Sequence, residues 1–239
     1  MSTSQHRGTG LRVILFGASG MVGQGVLRQC LRDAEVAQVL AVGRSSTGVQ
    51  HARLHELVRS DLYDFAGADA ELKGYDACFF CLGVSAAGLS EAAYSRITFD
   101  LTLAAAQALA RLNPDMTFMY ISGAGTDSSE QGRTMWARVK GRTENALLRL
   151  PFRSAVMLRP AGIAPLHGEQ SKTALYRGFY TLARPLQPLL RRLVPGWMTT
   201  TQDLASLMIH LARHGSPQPV LESRDIARIA AQLPRIESL

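Results

Sequence analysis

The stretch Leu11 to Gly23, LRVILFGASGMVG, constrains this chain more than any other: an apolar run of strand length breaks directly into glycines at 17, 20 and 23. Gly17 lets the chain reverse tightly after the strand, Gly20 removes the Cβ that would hold a pyrophosphate away, and Gly23 lets the following helix pack close to the sheet. Phosphates would then meet free backbone N–H groups at a helix N-terminus, where the peptide dipoles also favour negative charge. Gly17, Ser19, Gly20, Met21 and Val22 are the expected phosphate cradle. An ordinary glycine-rich turn is the plainer alternative. The strand before the turn and the helix-like MVGQGVLRQCLRD after it favour the cradle.

Strands and helices alternate along the rest of the chain. A second strand is expected at Gln38–Val42, then a polar connection over Ser45–Leu57, a third strand at Val58–Leu62 and a fourth within Ala77–Gly83. Ser90–Leu112 is rich in alanine and leucine, which favours one long helix capped at Ser90 and ended by Asn113-Pro114. Thr117–Ile121 reads as a fifth strand and Ala155–Leu158 as a sixth, with a helix over Arg133–Leu150 between them. Parallel strands need long crossovers, so this alternation predicts an α/β fold: a doubly wound parallel sheet in a single domain spanning 1–239. From Pro165 the rhythm changes. Residues 165–201 mix prolines, aromatics and arginines, the composition of a small C-terminal lid over a substrate. A capped helix at Thr200–His210 and a short one at Asp225–Leu233 follow.

The chain has 239 residues, of which 46% are hydrophobic and 19% charged, proportions of a packed globular protein. A formal charge of +7 raises the question of nucleic acid. The basic residues are scattered, with no run longer than Arg191-Arg192 and no interleaved aromatics, so the expectation is no nucleic-acid partner. Prolines interrupt any long amphipathic helix in 165–201, which argues against membrane contact. No apolar stretch has membrane-spanning length and MSTSQHRGTG lacks the apolar core of a secretory signal, from which a cytoplasmic location is expected. Cys78 and Cys81 form a C-x-x-C, but residues three apart on a strand face opposite ways and cannot share a ligand. The six histidines show no metal-ligand spacing, and no metal is expected.

The glycines follow G-x-x-G-x-x-G, which resembles the extended and atypical short-chain dehydrogenase/reductases. Further residues carry the same resemblance in order: Gly43-Arg44-Ser45 after the second strand, Asp61-Leu62 after the third, Cys81-Leu82-Gly83 after the fourth, Val139-Lys140-Gly141, and Arg159-Pro160-Ala161-Gly162-Ile163. Within that group the likeness is to the Tat-interacting-protein type and its bacterial relatives, good over roughly residues 10–165. The resemblance implies a Rossmann fold, with Asp61 and Leu62 beside an adenine. Cys81, Leu82 and Gly83 would lie under the nicotinamide ribose, and Pro160, Gly162 and Ile163 would close over the nicotinamide. Arg44 stands where an NAD enzyme would place an acid on the ribose hydroxyls. A guanidinium can hold a 2′-phosphate bidentately, so the expected cofactor is NADP, unless Arg44 is only a solvated surface arginine.

The resemblance also implies the chemistry. A tyrosine polarises the reacting oxygen, a lysine four residues later lowers its pKa and holds the ribose, and a serine after strand five completes the oxyanion contacts. Ser122 and Lys140 occupy two of these places, and Trp136 stands where the tyrosine belongs. Indole N–H can donate a hydrogen bond but has no transferable proton near neutral pH. Three explanations are open: another group such as Tyr176 or Tyr180 supplies the proton, water does while Trp136 stacks on a planar substrate, or the protein binds cofactor without turnover. Trp136 is equally well a core or subunit-contact aromatic. The leading expectation is an NADP-dependent oxidoreductase acting on a small carbonyl or hydroxyl compound. The alternative is an NADP(H)-binding regulatory or scaffold protein, and a homodimer is compatible with both.

Overall fold

A computed structural model describes residues 10–166 and 198–234. Seven parallel strands form one sheet in the order β3-β2-β1-β4-β5-β6-β9, comprising β1 (Leu11–Phe16), β2 (Val36–Gly43), β3 (Leu54–Val58), β4 (Ala77–Phe80), β5 (Thr117–Ile121), β6 (Ser154–Arg159) and β9 (Val220–Glu222). A separate parallel pair joins β7 (Gly162–Ala164) to β8 (Met198–Thr200). The strand order reverses between β1 and β4, the switch point at which doubly wound sheets open a ligand crevice. This is the α/β Rossmann-like arrangement expected from the alternation.

Both faces of the central strands are buried, and successive side chains serve opposite layers. Val13 and Leu15 face a layer containing Val26, Leu27 and Cys30 of α1 (Met21–Arg32) and Leu204, Leu207, Met208 and Leu211 of α6 (Thr201–His214). Ile14 and Phe16 face the other, with Leu72 of α2 (Asp69–Leu72), Leu101, Ala105 and Leu109 of α4 (Leu101–Leu112) and Leu147 of α5 (Met135–Leu148). An aromatic row crosses that second layer from strand to strand, Phe16 to Phe80 at 5.0 Å and Phe80 to Phe118 at 5.9 Å between ring centres. Cys78 and Cys81 pack into opposite layers, as strand alternation requires.

Several expectations need correction. The third strand is Leu54–Val58 and not Val58–Leu62, so the polar connection ends earlier than Leu57. β3 is an edge strand with no fully buried residue, and its sequence LHELV lacks the apolar run that marks the central strands. β9 has no signature in the sequence, because three residues carry no periodicity. The expected helix 90–112 starts as α3 (Glu91–Ser95), with Ser90 Oγ accepting from the Ala93 N–H at 3.3 Å, and runs through a π-helical turn at Arg96–Asp100 into α4. The helix placed at Thr200–His210 extends to His214, its N-terminus closed by a reciprocal Thr200–Asp203 capping box. The last helix, α7, is Ser223–Ala230. Of the expected lid, 167–197 lie outside the described residues; Met198–Thr200 belong to β8, and Thr201 begins α6.

Candidate functional site

A cleft of ≈ 700 Å³ runs along the C-terminal ends of the sheet strands. It is lined by the turn after β1, the Ala41–Ser45 end of β2, residues 81–85 after β4, Ile121 at the end of β5 and Ser122 after it, Lys140 of α5, and Pro160–Ile163 after β6. The π-helical turn closes it from above with Ile97, followed by Leu101 of α4. Of the residues expected to hold the cofactor or to act in catalysis, all line this cleft except Asp61, while Tyr176 and Tyr180 lie outside the described residues. Asp61 Oδ1 accepts the Tyr63 N–H at 2.7 Å, so its carboxylate serves the loop that follows β3. Ser60, Leu62 and Tyr63 line the cleft there instead.

At one end the wall is main chain. Gly17 has φ +80, and a Cβ there would lie 2.6 Å from the Leu82 backbone nitrogen. A Cβ on Gly23 would lie 2.0 Å from the Gly17 carbonyl oxygen, so the helix can approach the turn only without a side chain. Gly20 is the N-cap of α1, no side chain caps that end, and the first turn holds no acid. The leading amides of a helix have no intrahelical acceptor. An uncapped, acid-free helix start at a crevice fits a phosphate group. Next to it Arg44, Ser45 and Thr47 line the cleft. Their loop is held from outside: Glu56 accepts the Thr47 N–H, the Thr47 hydroxyl and the Ser46 hydroxyl, each at 2.6 Å. Those hydrogen bonds, Ser46's first, lower the Glu56 carboxyl pKa.

At the other end the wall is side chain. Ser122 is buried, with its Oγ 3.0 Å from Thr126 Oγ1, and Thr126 Oγ1 donates to the Gly123 carbonyl at 2.7 Å. The Thr126 proton is committed to that carbonyl, so the hydrogen between the two hydroxyls is Ser122's. Lys140 Nζ donates to the buried Tyr120 hydroxyl at 3.4 Å and stands 5.1 Å from that ring's centre. Burial lowers the Lys140 pKa to about 8 against the opposing pull of the Glu144 carboxylate. Burial also raises the Tyr120 phenol, with Tyr94 and Glu144 adding to the shift. Trp136, partly buried, does not line the cleft; its ring edge lies beside Gly125, where a Cβ would be 3.6 Å from it.

Beneath this end lies an ion network that sequence reasoning missed. Glu144, one helical turn beyond Lys140, is 1% exposed and receives Arg159 Nε at 3.0 Å and its Nη2 at 2.5 Å. Arg159 Nη1 also meets Glu222 of β9 at 2.9 Å, and Nη2 meets Ser128 Oγ at 2.6 Å. Its partners raise the Arg159 pKa, the Glu144 hydrogen bond most. The i,i+4 spacing of Lys140 and Glu144 was the available signal. Nothing local pairs residue 144 with 159.

Residues 13–135 match the sequence model of the NAD dependent epimerase/dehydratase family. The chain is 27% identical over 220 residues to the protein fmp52-2, mitochondrial, of Aspergillus oryzae, covering 90% of this chain and 95% of that one. It is 26% identical over 151 residues to the protein HTATIP2 of Rattus norvegicus, covering 62% and 61%. Among solved structures, the Bordetella bronchiseptica enzyme WbmG in complex with NAD superposes with a TM-score of 0.65 at 13% identity, over 90% of this chain and 73% of that one. The likeness to WbmG is one of fold. The expectation of a cytoplasmic location is overturned by the FMP52 relatives, which are named mitochondrial proteins. It rested on the lack of an apolar secretory core. That lack does not choose between compartments.

Proposed function

The chain belongs to the NAD-dependent epimerase/dehydratase family, and on that premise we propose that it is an NADP(H)-dependent oxidoreductase acting on a small carbonyl or hydroxyl compound. The observation that carries this reading is a single cleft with a bare helix N-terminus and Arg44 toward one end and Ser122 with Lys140 toward the other. The amides of the 17–22 turn would hold the diphosphate, Arg44 the 2′-phosphate, and Leu62 the adenine side. Cys81, Leu82 and Gly83 would meet the nicotinamide ribose, while Pro160, Gly162 and Ile163 would cover the nicotinamide. The bound dinucleotide supplies two electrons and a hydrogen. Lys140 orients the reacting oxygen, Ser122 accepts from a substrate hydroxyl beside it, and the Arg159–Glu144 pair anchors both α5 and the 160–163 turn beneath it.

Thermal-shift titration with NADPH and NADH tests the cofactor, because a ligand at 100 times its dissociation constant stabilises the native state by about 2.7 kcal/mol. NADPH should raise the melting temperature at lower concentration than NADH. Oxidation of NADPH with a panel of aldehydes, ketones and quinones tests the reaction. NADPH binding without turnover on any of them would favour the second reading, a cofactor-binding regulatory or scaffold protein, which Trp136 in the tyrosine position motivates.

A further inference from the structure

Trp136 leaves the oxidoreductase reading without the usual proton donor, and the side chains along the cleft narrow the replacement. Among the described residues, four lining side chains are ionisable: Arg44, Tyr63, Cys81 and Lys140. A guanidinium does not release its proton, which removes Arg44. Tyr63 belongs to the loop after β3, near Leu62 and Ser60, and lies under the Arg96 guanidinium at 5.3 Å. Sheet order puts that loop at the far edge from β5 and α5. Burial pushes the Cys81 thiol up, and nothing cationic offsets it.

Lys140 is on the strand-five side with Ser122. An ammonium has three hydrogens. Tyr120 takes one, which fixes the Nζ and leaves two for groups in the cleft. Ser122 complements it: with its own hydrogen given to Thr126, its oxygen offers lone pairs to the cleft and not a proton. One donor therefore faces one acceptor.

We propose that Lys140 itself delivers the proton to the substrate oxygen, the task a tyrosine one helical turn earlier would perform. The proposal rests on the oxidoreductase reading. In reduction of a carbonyl, the two electrons and the hydrogen that go to carbon would come from a reduced dinucleotide held in this cleft. An N–H bond of the Lys140 ammonium breaks as the O–H bond of the alcohol forms. Lys140 is left as a neutral amine and regains its proton from water entering the open cleft. In the reverse direction the neutral amine takes the hydroxyl proton. Reduction accordingly declines as pH rises through the Lys140 pKa, and alcohol oxidation rises over the same range.

Two measurements test this. The chain has lysines only at 73, 140 and 172, so acetylation by acetic anhydride across a pH series can be read lysine by lysine by mass spectrometry, without substrate or cofactor. Lys140 should reach half-maximal labelling rate near pH 8, with exposed Lys73 as the surface control. Second, Lys140→Arg keeps the cation and its donors but cannot release a proton. It should bind NADPH within about 3-fold of the parent while NADPH oxidation by phenanthrenequinone or another reactive carbonyl drops about 100-fold, the scale of a lost general acid. The alkaline limb of the pH profile should disappear with it. Lys140 labelling in step with Lys73, or Lys140→Arg turning over with the parental limb, overturns the proposal and leaves the oxidoreductase reading standing. NADPH binding by the parent with no turnover on any carbonyl overturns both.

Discussion

The two ends of the cleft are made of different material. At the phosphate end the functional surface is backbone: glycines at 17, 20 and 23, an uncapped helix start, and, at Gly17 and Gly23, closeness that any side chain would destroy. At the proton end it is a stack of buried polar side chains, Tyr120 against Lys140, Glu144 against Arg159, Ser122 against Thr126. Backbone donors bring no desolvated charge and few alternative rotamers. Side-chain charge buried in low dielectric is favourable only when each group keeps its partner. The first end should tolerate no added atom at Gly17 or Gly23, and the second no loss that leaves a buried charge without its partner.

The largest expected effect breaks the second end. Glu144→Ala leaves the Arg159 guanidinium buried beside only Glu222 and Ser128, which should cost about 3–5 kcal/mol in urea unfolding; a loss under about 1 kcal/mol would mean that those two partners suffice. Next, Gly23→Ala places a methyl group against the Gly17 carbonyl. Overpacking of that kind costs up to about 3 kcal/mol, and the variant should also lose its thermal response to NADPH. Retention of both stability and response would show that the turn has slack. Arg44→Asp leaves the fold unchanged and should weaken NADPH by about 2 kcal/mol, the scale of a charged hydrogen bond lost, without weakening NADH; equal affinities of parent and variant for each nucleotide would dismiss Arg44 as the selector.

The smallest effect concerns pH. Burial lowers the Lys140 pKa to about 8, below the ordinary value of about 10.4 expected for the unfolded chain. Between those values the unfolded chain binds more protons, so stability rises with pH there, and the penalty of the buried charge is fully present below the lower one. Lys140→Met should therefore raise the melting temperature most at neutral pH, with the gain shrinking above pH 8. A gain that does not vary with pH would assign it to apolar packing.

The same contrast explains what could be read from sequence. The phosphate end is contiguous, since one turn of chain builds it and each glycine reports a local steric demand. Strands buried on both faces were visible for a similar reason, as with Ile14 and Leu15 facing opposite layers. β3 was misplaced because it is an edge strand with polar residues, and Asp61 with it. β9 and the β7–β8 pair are too short to carry a period. The network below Lys140 joins residues 128, 144, 159 and 222 from four separate parts of the chain. No local pattern encodes such a meeting. The π-helical turn was likewise hidden, since alanine and leucine propensity favours a helix without fixing its hydrogen-bond register.

The β7–β8 pair has an implication for how this architecture can vary. Because Gly162–Ala164 and Met198–Thr200 run parallel and are already hydrogen-bonded, the chain departs and returns at a closed gate next to the cleft. Closing a loop on such a gate becomes costlier only slowly as residues are added, whereas two parallel strands need a connection of about a dozen residues at minimum. Added residues between Ala164 and Met198 therefore cost the fold little, and about a dozen is the floor for that span. The reaction centre could in this way meet new molecules while the nucleotide platform is inherited intact.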